Sequence, residues 1–315
     1  MLIILNNGII FKFINLCFMK IIISLILRYT TSIIRLFIQR YCYKIFDDIT
    51  YIRLVYFFTY YKFINLKKPK TFNEKLNWLK LYNRHDVYTT MADKYNVKKY
   101  VEAIIGSEYI VKNYGVYKNW DEINFSELPS RFVVKCTHDS GGAFVCKDKL
   151  HFDMNMVKET INRNLKKNYY WWYREWPYKN IEPQIIIDEY LENGASECLQ
   201  DYKFLCFNGE PKYMYITIKG EQIYENYYDM NYNPIYIDHG FPRNCVEFNK
   251  PSNFELMKEL ARKLSQGVPF VRVDFFDVKG KVYFGEFTFY DFGGMRPYKG
   301  NWDEKLGELL ILPNI

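Results

Sequence analysis

Several motifs that identify common nucleotide-binding and metal-binding proteins are missing from this sequence. The phosphate-binding loop G-x-x-x-x-G-K-[ST], the dinucleotide motif G-x-G-x-x-G and the metalloprotease motif H-E-x-x-H do not occur, which excludes the sites they build. No D-x-D pair occurs either, which weakens the case for a metal-dependent nucleotide-sugar transferase. The seven cysteines lack C-x-x-C spacing, so neither a disulfide framework nor a zinc ribbon is expected.

The chain also lacks an uninterrupted apolar run long enough to span a membrane. Ile9–Leu27 is apolar but is broken by Lys12 and Lys20, whereas a span needs about 20 mostly uncharged residues. Positive charge is concentrated in the same region. The residues up to Lys70 hold eleven lysines or arginines and two aspartates, a net charge of +9, which leaves −2 for the rest of a chain whose total is +7.

This basic, apolar segment, residues 1–65, has two interpretations. Such helices are attracted to the anionic inner face of a cytoplasmic membrane, and the alternative is a basic helix that docks on its own domain. A nucleic-acid partner is not expected, because the charge is confined to one end of the chain. We therefore expect a cytoplasmic protein, which the first interpretation makes peripheral at the inner face of the cell membrane.

The remaining chain divides into two regions by its residue pattern. Residues 66–130 predict a small helical lobe: Thr71 and Glu74 have the spacing of a capping box, and a second helix is expected to begin at Thr90. Residues 131–315 alternate strands and helices without the regular βαβ rhythm, which predicts an α+β fold.

Short apolar runs and turn residues mark the strands of this larger region. Asn208-Gly209 lies between two such runs and is a strong signal for a hairpin. The expected strands are Phe132–Lys135, Ala143–Cys146, Ile185–Ile187, Asp201–Phe207 and Lys212–Ile218.

Charged residues near the C-terminus form the most informative pattern. Strand alternation places Arg272 and Asp274 on one face, and a hairpin folded near Lys279-Gly280 brings Glu286 opposite or diagonal to Asp274. Two neighbouring carboxylates repel unless a cation lies between them, and Mg²⁺ binds through one or two carboxylates together with phosphate oxygens. The alternative is an Arg–Asp–Glu ion network on the surface of a hairpin.

Lys135 and the polar turn after it, Thr137–Gly142, form a second candidate site. A lysine that ends an apolar strand needs a partner for its ammonium group, and Gly141 and Gly142 let backbone N–H groups approach an anion. A phosphate satisfies both features. An ordinary glycine hairpin beside a lysine that reaches solvent is the alternative.

Three further residues are weaker candidates on pattern alone. Glu189 follows a buried strand and is suited to the adenine and ribose of a nucleotide, although a strand end that faces solvent is commoner. Asp201 and Lys203 share a face of the next strand, where Lys203 is suited to a phosphate and an internal ion pair is the alternative. The aromatic run Tyr169–Trp176 is suited to a sugar, although a small aromatic core is commoner.

In chain order these features resemble an ATP-grasp domain, and most closely its TupA-like branch from teichuronopeptide biosynthesis. The resemblance covers roughly residues 65–315, and it is the ordered set that is specific. The stretches that carry it are Pro69–Lys75, Ala92–Tyr95, Phe132–Gly142, Asp201–Phe204, Phe270–Phe275, Gly285–Phe289, Leu306-Gly307 and Leu312-Pro313.

The resemblance implies an ATP-grasp fold, in which two α+β lobes hold ATP and a helical N-terminal segment precedes them. Asp274 and Glu286 would bind Mg²⁺, Arg272 would lie beside the γ-phosphate, and Arg272 and Lys203 would be the catalytic residues. The residues implied for ATP binding are Lys135, His138, Ser140, Gly141, Gly142, Glu189, Asp201 and Lys203.

The implied activity is that of an ATP-dependent ligase, which phosphorylates a carboxylate and lets an amine or similar nucleophile attack the acyl phosphate. Relatives of this branch work in cell-surface polysaccharide assembly, so the expected substrate is a glycan or lipid-linked glycan precursor. Thr288 stands where most ATP-grasp domains have an asparagine, which puts a second metal ion in doubt. The alternative functions are a glycosyltransferase of the same pathway and a non-catalytic partner that keeps the fold.

Overall fold

The computed structural model describes residues 32–192, 199–219, 222–244 and 248–314. The chain divides into two compact units, Met1–Ile64 and Asn65–Ile315. The interrupted apolar run Ile9–Leu27 lies outside the described residues. The predicted boundary between residues 130 and 131 stays a prediction.

The first unit contains the helical residues 32–41 and helix α1 (Asp48–Tyr60). Asp47 begins α1 because its carboxylate accepts a hydrogen bond from the backbone N–H of Thr50 (3.0 Å), which satisfies one of the donors that a helix start leaves open. The helix ends at Tyr61, whose backbone is left-handed (φ 57°). Among the described residues, no helix has the length and apolar character needed to cross a membrane.

The second unit has seven α-helices within the described residues. Residues that can cap a helix predict the first residue of some of these helices but not of all. The α-helices are α2 (Phe72–Tyr82), α3 (Asp86–Ala92), α4 (Asn96–Ile105), α5 (Met154–Leu165), α6 (Tyr170–Tyr173), α7 (Phe254–Leu264) and α8 (Trp302–Leu309). Short 3₁₀ turns lie at Ser107–Tyr109, Trp120–Glu122, Lys149–His151, Trp176–Tyr178 and Asp291–Gly294.

The capping box at the start of α2 is confirmed, and the predicted helix start at Thr90 is wrong. The Thr71 hydroxyl accepts from the backbone of Glu74, and the Glu74 carboxylate accepts from the backbone of Thr71. Thr90 instead lies in the last turn of α3. The chain turns at Asp93, whose carboxylate accepts from two backbone N–H groups at the start of α4, Tyr95 (2.8 Å) and Asn96 (3.2 Å).

Four antiparallel strands form the smaller sheet, in the order β1-β4-β2-β3. They are β1 (Asn113–Tyr117), β2 (Phe132–Cys136), β3 (Phe144–Cys146) and β4 (Ile185–Glu189). The inward side chains of β2 and β4, among them Phe132, Val134 and Ile187, pack against Val157 and Ile161 of α5. The strands predicted at β2, β3 and β4 are confirmed, while β1 was not foreseen.

Six antiparallel strands form the larger sheet, in the order β10-β9-β5-β6-β7-β8. They are β5 (Asp201–Phe207), β6 (Glu210–Lys219), β7 (Ile223–Asp229), β8 (Pro234–Ile235), β9 (Phe270–Val278) and β10 (Lys281–Thr288). Asn208 (φ 50°) and Gly209 (φ 84°) make the predicted turn between β5 and β6. Helix α7 packs on this sheet through Phe254, whose ring lies 5.9 Å from that of Phe204. The predicted α+β class is confirmed.

Candidate functional site

A bulge in the β9–β10 hairpin brings Glu286 to Asp274. Phe284 pairs with Phe275 and Phe287 pairs with Val273, so Gly285 and Glu286 both lie opposite Asp274. A bulge of this kind redirects side chains without breaking the sheet. Gly285 permits the close approach, because a Cβ atom there would lie 3.1 Å from the carbonyl oxygen of Asp274.

Arg272 binds both carboxylates. Its Nε and Nη2 donate to the two oxygens of Asp274 (2.7 Å each), and Nη2 also donates to Oε1 of Glu286 (3.0 Å). The paired geometry with Asp274 is the strong, orientation-fixing form of an arginine–carboxylate contact. The sequence analysis predicted that Arg272 and Asp274 share a face and that Glu286 lies opposite or diagonal to Asp274, and the bulged hairpin brings the three side chains together.

Two further acceptors complete the surroundings of Arg272. Its Nη1 donates to the hydroxyl of Tyr215 (3.1 Å) and to Oδ1 of Asp291 (2.9 Å). A guanidinium has five N–H donors, and here each has an acceptor. Arg272, Asp274 and Asp291 are between 2% and 9% exposed, whereas the Glu286 side chain is 42% exposed. The Arg–Asp–Glu ion network of the alternative interpretation is therefore present, and its glutamate is the member that is open to solvent.

Lys203 adds a second cation to this cluster. It lies opposite Asp274 in the β5–β9 register, its ammonium contacts Oδ2 of Asp201, and it lies 4.0 Å from Oδ2 of Asp274. Burial raises the pKa of the Asp274 carboxyl to about 7, against the opposite effect of Arg272. For Glu286, burial is outweighed by Arg272 and the nearby lysines, which lower the pKa of its carboxyl.

The charges and donor atoms of this cluster fit a divalent cation. Asp201, Asp274, Glu286 and Asp291 carry four negative charges against the two positive charges of Arg272 and Lys203, so a charge of −2 remains when all are ionised. Among the described residues, two buried carboxylate oxygens, Asp201 Oδ1 and Asp291 Oδ2, have no hydrogen-bond partner. Hard oxygen donors are those that Mg²⁺ prefers.

The described part of the chain holds no group of three or more histidine, cysteine or acidic side chains arranged around a metal position. Mg²⁺ needs only one or two carboxylates, because phosphate oxygens and water supply its remaining ligands. The carboxylates present fit Mg²⁺ bound together with a phosphate, and the assignment of Asp274 and Glu286 as its ligands stays a prediction.

A cleft of about 540 Å³ opens beside this cluster, between the two sheets. Its lining mixes apolar and charged side chains, and the charged residues Lys135, Asp188 and Glu189 lie on the strands themselves. Val133 and Lys135 of β2, residues 188–192 at the end of β4, and Phe276, Phe284 and Gly285 of the β9–β10 hairpin all line it. Glu189, predicted for the adenine and ribose, is one of these residues.

Lysines converge on the cleft from both sides. Lys135 and Lys98 each lie 3.0 Å from one oxygen of Asp188, and Lys94 is also part of the lining. Lys94 and Lys98 come from the α3–α4 junction and from α4, and the sequence analysis gave them no role. The signal was available, since Lys94 lies within the stretch Ala92–Tyr95 on which the family resemblance partly rests.

The glycine turn after β2 has the predicted backbone. Gly141 (φ 86°) and Gly142 (φ 74°) are left-handed and exposed, a conformation that glycine adopts without strain. Lys94 ties this turn to the α3–α4 junction through the carbonyl and carboxylate of Asp139. Ser140 is exposed on the turn.

His138 does not line the cleft. Its ring is buried, and Nε2 lies 3.2 Å from the carbonyl oxygen of Asn164 at the end of α5. Burial is the main cause that lowers the pKa of this imidazole. The position favours a structural role, in which His138 fixes the turn, over contact with a nucleotide.

The aromatic run Tyr169–Trp176 folds into α6 and the turn that follows it. Tyr170 and Arg174 are fully buried, and the Arg174 guanidinium lies 4.8 Å from the Trp171 ring centroid. Trp172 is 42% exposed. This packing favours the interpretation as a small aromatic core over that of a sugar platform.

The comparison with known families agrees with the arrangement of these residues. A sequence model described as TupA-like ATP-grasp matches residues 74–311, which is more than half of the chain. The chain belongs to the TupA-like ATP-grasp family. The resemblance inferred from the sequence is therefore confirmed, and the two antiparallel sheets with the cleft between them are its ATP-grasp fold.

Solved structures that resemble this TupA-like protein do so distantly. D-alanine–D-alanine ligase from Bacillus anthracis, complexed with ATP, has 15% identity and a TM-score of 0.38, and the match covers 63% of this chain and 55% of that one. The Helicobacter pylori enzyme has 16% identity and a TM-score of 0.40, with 76% and 69% covered. The ADP complex of an N5-carboxyaminoimidazole ribonucleotide synthetase has 13% identity and a TM-score of 0.42, with 80% and 58% covered.

The chain thus spans between 55% and 69% of the length of these three proteins. Similarities of this size say nothing about activity. No curated protein matches the sequence.

Proposed function

We propose that this protein is an ATP- and Mg²⁺-dependent ligase that activates a carboxylate of a cell-surface glycan precursor as an acyl phosphate. The observation that carries the proposal is the Arg272 cluster, in which four carboxylates surround two cations, next to a cleft lined by lysines. The cluster consists of Asp201, Lys203, Arg272, Asp274, Glu286 and Asp291. A site for Mg²⁺ and nucleotide phosphates needs both features, because the metal requires carboxylate ligands and the phosphates require cations. The glycan precursor follows from the family alone.

The reaction consists of two displacements. A substrate carboxylate attacks the γ-phosphorus of ATP, and ADP leaves. An amine or similar nucleophile then attacks the acyl carbon, and inorganic phosphate leaves. When bound, Mg²⁺ neutralises charge on the phosphates, while Lys135, Lys94 and the Gly141-Gly142 turn hold them in place.

Arg272 requires a specific rearrangement to act as the catalytic residue. All its donors are in use, so it contacts a phosphate only after it gives up one acceptor. Glu286 is the acceptor it gives up, because its side chain is 42% exposed whereas those of Asp274 and Asp291 are at most 2% exposed. Asp274 keeps the guanidinium oriented while Glu286 turns towards the metal.

Nucleotide affinity tests the proposal directly. We expect the wild-type protein to bind ATP in the presence of Mg²⁺, and Lys135→Gln to bind it about 10- to 100-fold more weakly, because one charged hydrogen bond to phosphate is lost. Isothermal titration calorimetry measures both affinities. Lys118→Gln is the matched control, since this lysine lies beyond β1 and is 72% exposed.

The same measurement separates the ligase from the glycosyltransferase. A protein that binds a nucleotide sugar in preference to ATP, with or without Mg²⁺, is a transferase and contradicts the proposal. ATP affinity that is equal in the wild type and in Lys135→Gln removes the phosphate role of Lys135.

We further propose that residues 1–65 contact an anionic membrane surface. Helical residues 32–41 and the turn after them expose large apolar side chains, including Phe37 (55%), Tyr41 (62%) and Ile45 (73%). Arg40 and Lys44 are exposed among them. Apolar side chains beside cations match the acyl boundary and the headgroups of an anionic bilayer.

Vesicle binding tests this contact. Arg40→Glu/Lys44→Glu is expected to bind phosphatidylglycerol vesicles at least about tenfold more weakly than the wild type, since each basic residue near the surface contributes roughly 1 kcal/mol. Co-sedimentation measures the bound fraction. The control is Lys118→Glu/Lys281→Glu, which changes the same charge in the second unit. Equal binding by the wild type and by a protein without residues 1–65 would refute the contact.

A further inference from the structure

Arg296 is held in a rigid position just beyond the Asp291–Gly294 turn. Its Nε donates to the carbonyl oxygen of His239 (2.5 Å). Its guanidinium carbon lies 3.7 Å from the ring centroid of Phe241 and 4.4 Å from that of Phe292. The planar group is thus packed against two aromatic rings, which fixes its plane and removes much of its water.

The outer edge of this guanidinium has no partner. Across residues 32–192, 199–219, 222–244 and 248–314, no carboxylate or carbonyl oxygen bonds to its Nη1 or Nη2. The nearby acid Glu225 is already occupied, since its carboxylate binds His239 Nε2 (2.7 Å) and the hydroxyl of Tyr227 (3.2 Å). A cation that is flanked by two aromatic rings and keeps free donors on its outer edge is suited to an anion with two oxygens.

The backbone that carries Arg296 is fixed as firmly as its side chain. Its carbonyl oxygen accepts from Nδ2 of Asn73 (3.0 Å), and that of Gly294 accepts from Nδ2 of Asn77 (2.8 Å). Phe292, Gly293 and Gly294 are consecutively left-handed (φ 47°, 63° and 59°). This sharp turn lays the Phe292 ring against Arg296, and such strain persists only where the surroundings enforce it.

The same turn links Arg296 to the reaction centre. Asp291, which begins the turn, accepts a hydrogen bond from Arg272. The segment from Asp291 to Arg296 therefore carries one residue of the Arg272 cluster and, five positions later, a guanidinium open to a ligand. Of the two arginines, Arg272 has every donor satisfied, whereas Arg296 has its outer edge available.

We propose that Arg296 binds an anionic group, a carboxylate or a phosphate, of the acceptor substrate through Nη1 and Nη2. That this ligand is the acceptor rests on the proposed function; that Arg296 is an anion site does not. Arg296 thereby recognises the substrate through an anionic group other than the carboxylate that is phosphorylated. Combined with the glycan precursor of the proposed function, an anion site at Arg296 makes the acceptor class a sugar that carries a negative charge.

Calorimetry with simple anionic sugars tests this site in the full-length protein. D-Glucuronate and α-D-glucose 1-phosphate are titrated separately, with D-glucose as the neutral probe, in the presence and absence of Mg²⁺ and a non-hydrolysable ATP analogue. We expect at least one anionic probe to bind the wild type and glucose not to bind. Arg296→Gln should weaken that binding about 10- to 100-fold, and Arg296→Lys less so because it keeps the charge.

The matched control is Lys299→Gln, an exposed cation three residues further on that pairs with Asp238 (2.9 Å). It should bind the anionic probe as the wild type does, and all variants should bind the ATP analogue unchanged, which reports an intact fold.

The anionic probe that binds more tightly decides whether the site takes a carboxylate or a phosphate. Equal binding by Arg296→Gln and the wild type, equal binding of glucose, or no binding of either anion overturns the proposal. Failure to bind the ATP analogue counts instead against the ligase, and the titrations without nucleotide still decide the anion site.

Discussion

Asp274→Asn is expected to lower the rate of ADP release roughly 100- to 1,000-fold, the effect of removing one preorganised electrostatic contact at a reaction centre. The aspartate has one observed role and one proposed role: it holds Arg272 through two hydrogen bonds, and we propose that it also binds Mg²⁺. Asparagine keeps one acceptor for the guanidinium but removes the negative charge. The fold should be retained, because Arg272 keeps its bonds to Glu286, Asp291 and Tyr215.

The control for this variant is Asp277→Asn on the same strand. Its carboxylate accepts from Nδ2 of Asn253 (3.1 Å), and across the hairpin Asp277 pairs with Val282 rather than with Glu286, so ADP release should stay within about twofold of the wild type. The measurement is ADP release against Mg²⁺ concentration for the three proteins. An unchanged ATP affinity in Asp274→Asn, together with no dependence on Mg²⁺ in the wild type, would contradict the proposed function.

Local signals were enough to predict the α+β class and most of the strands. Asn208-Gly209 can form few structures other than a tight hairpin, and the alternation of Val271, Val273 and Phe275 requires a strand with one buried face. The helix start predicted at Thr90 was wrong because two residues that can cap a helix, Thr90 and Asp93, lie within a few positions of each other. Asp93 prevails because its carboxylate caps two N–H groups of α4, which Thr90, three residues upstream and inside α3, cannot reach.

The sequence predicted only those features of the site that follow from the alternation of side chains along a strand. A period of two places Arg272 and Asp274 on one face, but it would place Glu286 with Phe284 on the face of Val273. The bulge at Gly285, which depends on the packing of both strands, is what turns Glu286 towards Asp274. Asp291 and Tyr215 reach Arg272 from distant parts of the chain, so no short window contains the contact. The nucleotide and metal roles assigned by resemblance stay predictions.

Asp291 also bears on the metal ions. Thr288 offers only a hydroxyl where most ATP-grasp domains have an amide, and in this structure it donates to Glu286 (3.3 Å). Asp291 contributes a buried carboxylate that Arg272 anchors. The cluster therefore has more carboxylates than the pair Asp274 and Glu286 alone. The additional carboxylate of Asp291 belongs to the turn that also positions Arg296.

Lys80→Met is expected to destabilise the protein by roughly 3–5 kcal/mol, because it removes a buried cation from its two hydrogen bonds and from the neighbourhood of the buried Glu175 carboxylate. Lys80 is fully buried on α2; its ammonium donates to the carbonyl oxygen of Gly293 and to Oδ1 of Asn77 (3.0 Å). It also stabilises the charge of Glu175, which is 5% exposed. Burial lowers the pKa of Lys80 to about 7 and raises that of Glu175 to about 7, in each case against the attraction of the other group.

The loss of stability should depend on pH, and the sign follows from Glu175. Without Lys80 its pKa in the folded protein rises further above the unfolded value of 4.5. Below pH 4.5 both states are neutral. As the pH rises, the unfolded chain releases its proton first, so the free energy of unfolding falls until the folded pKa is passed. Lys80→Met should therefore lose more stability at pH 8 than at pH 5, in urea unfolding followed by circular dichroism.

Two further variants separate the charge effect from a packing effect. Lys80→Met/Glu175→Gln should recover part of the loss at pH 8, because no unpaired charge stays buried. Lys99→Met, an exposed lysine on α4, should stay within about 0.5 kcal/mol of the wild type. An equal loss for Lys80→Met at pH 5 and pH 8 would show that Lys80 matters through its bond to Gly293 rather than through Glu175. In that case its role is to hold the turn between Asp291 and Arg296 in place.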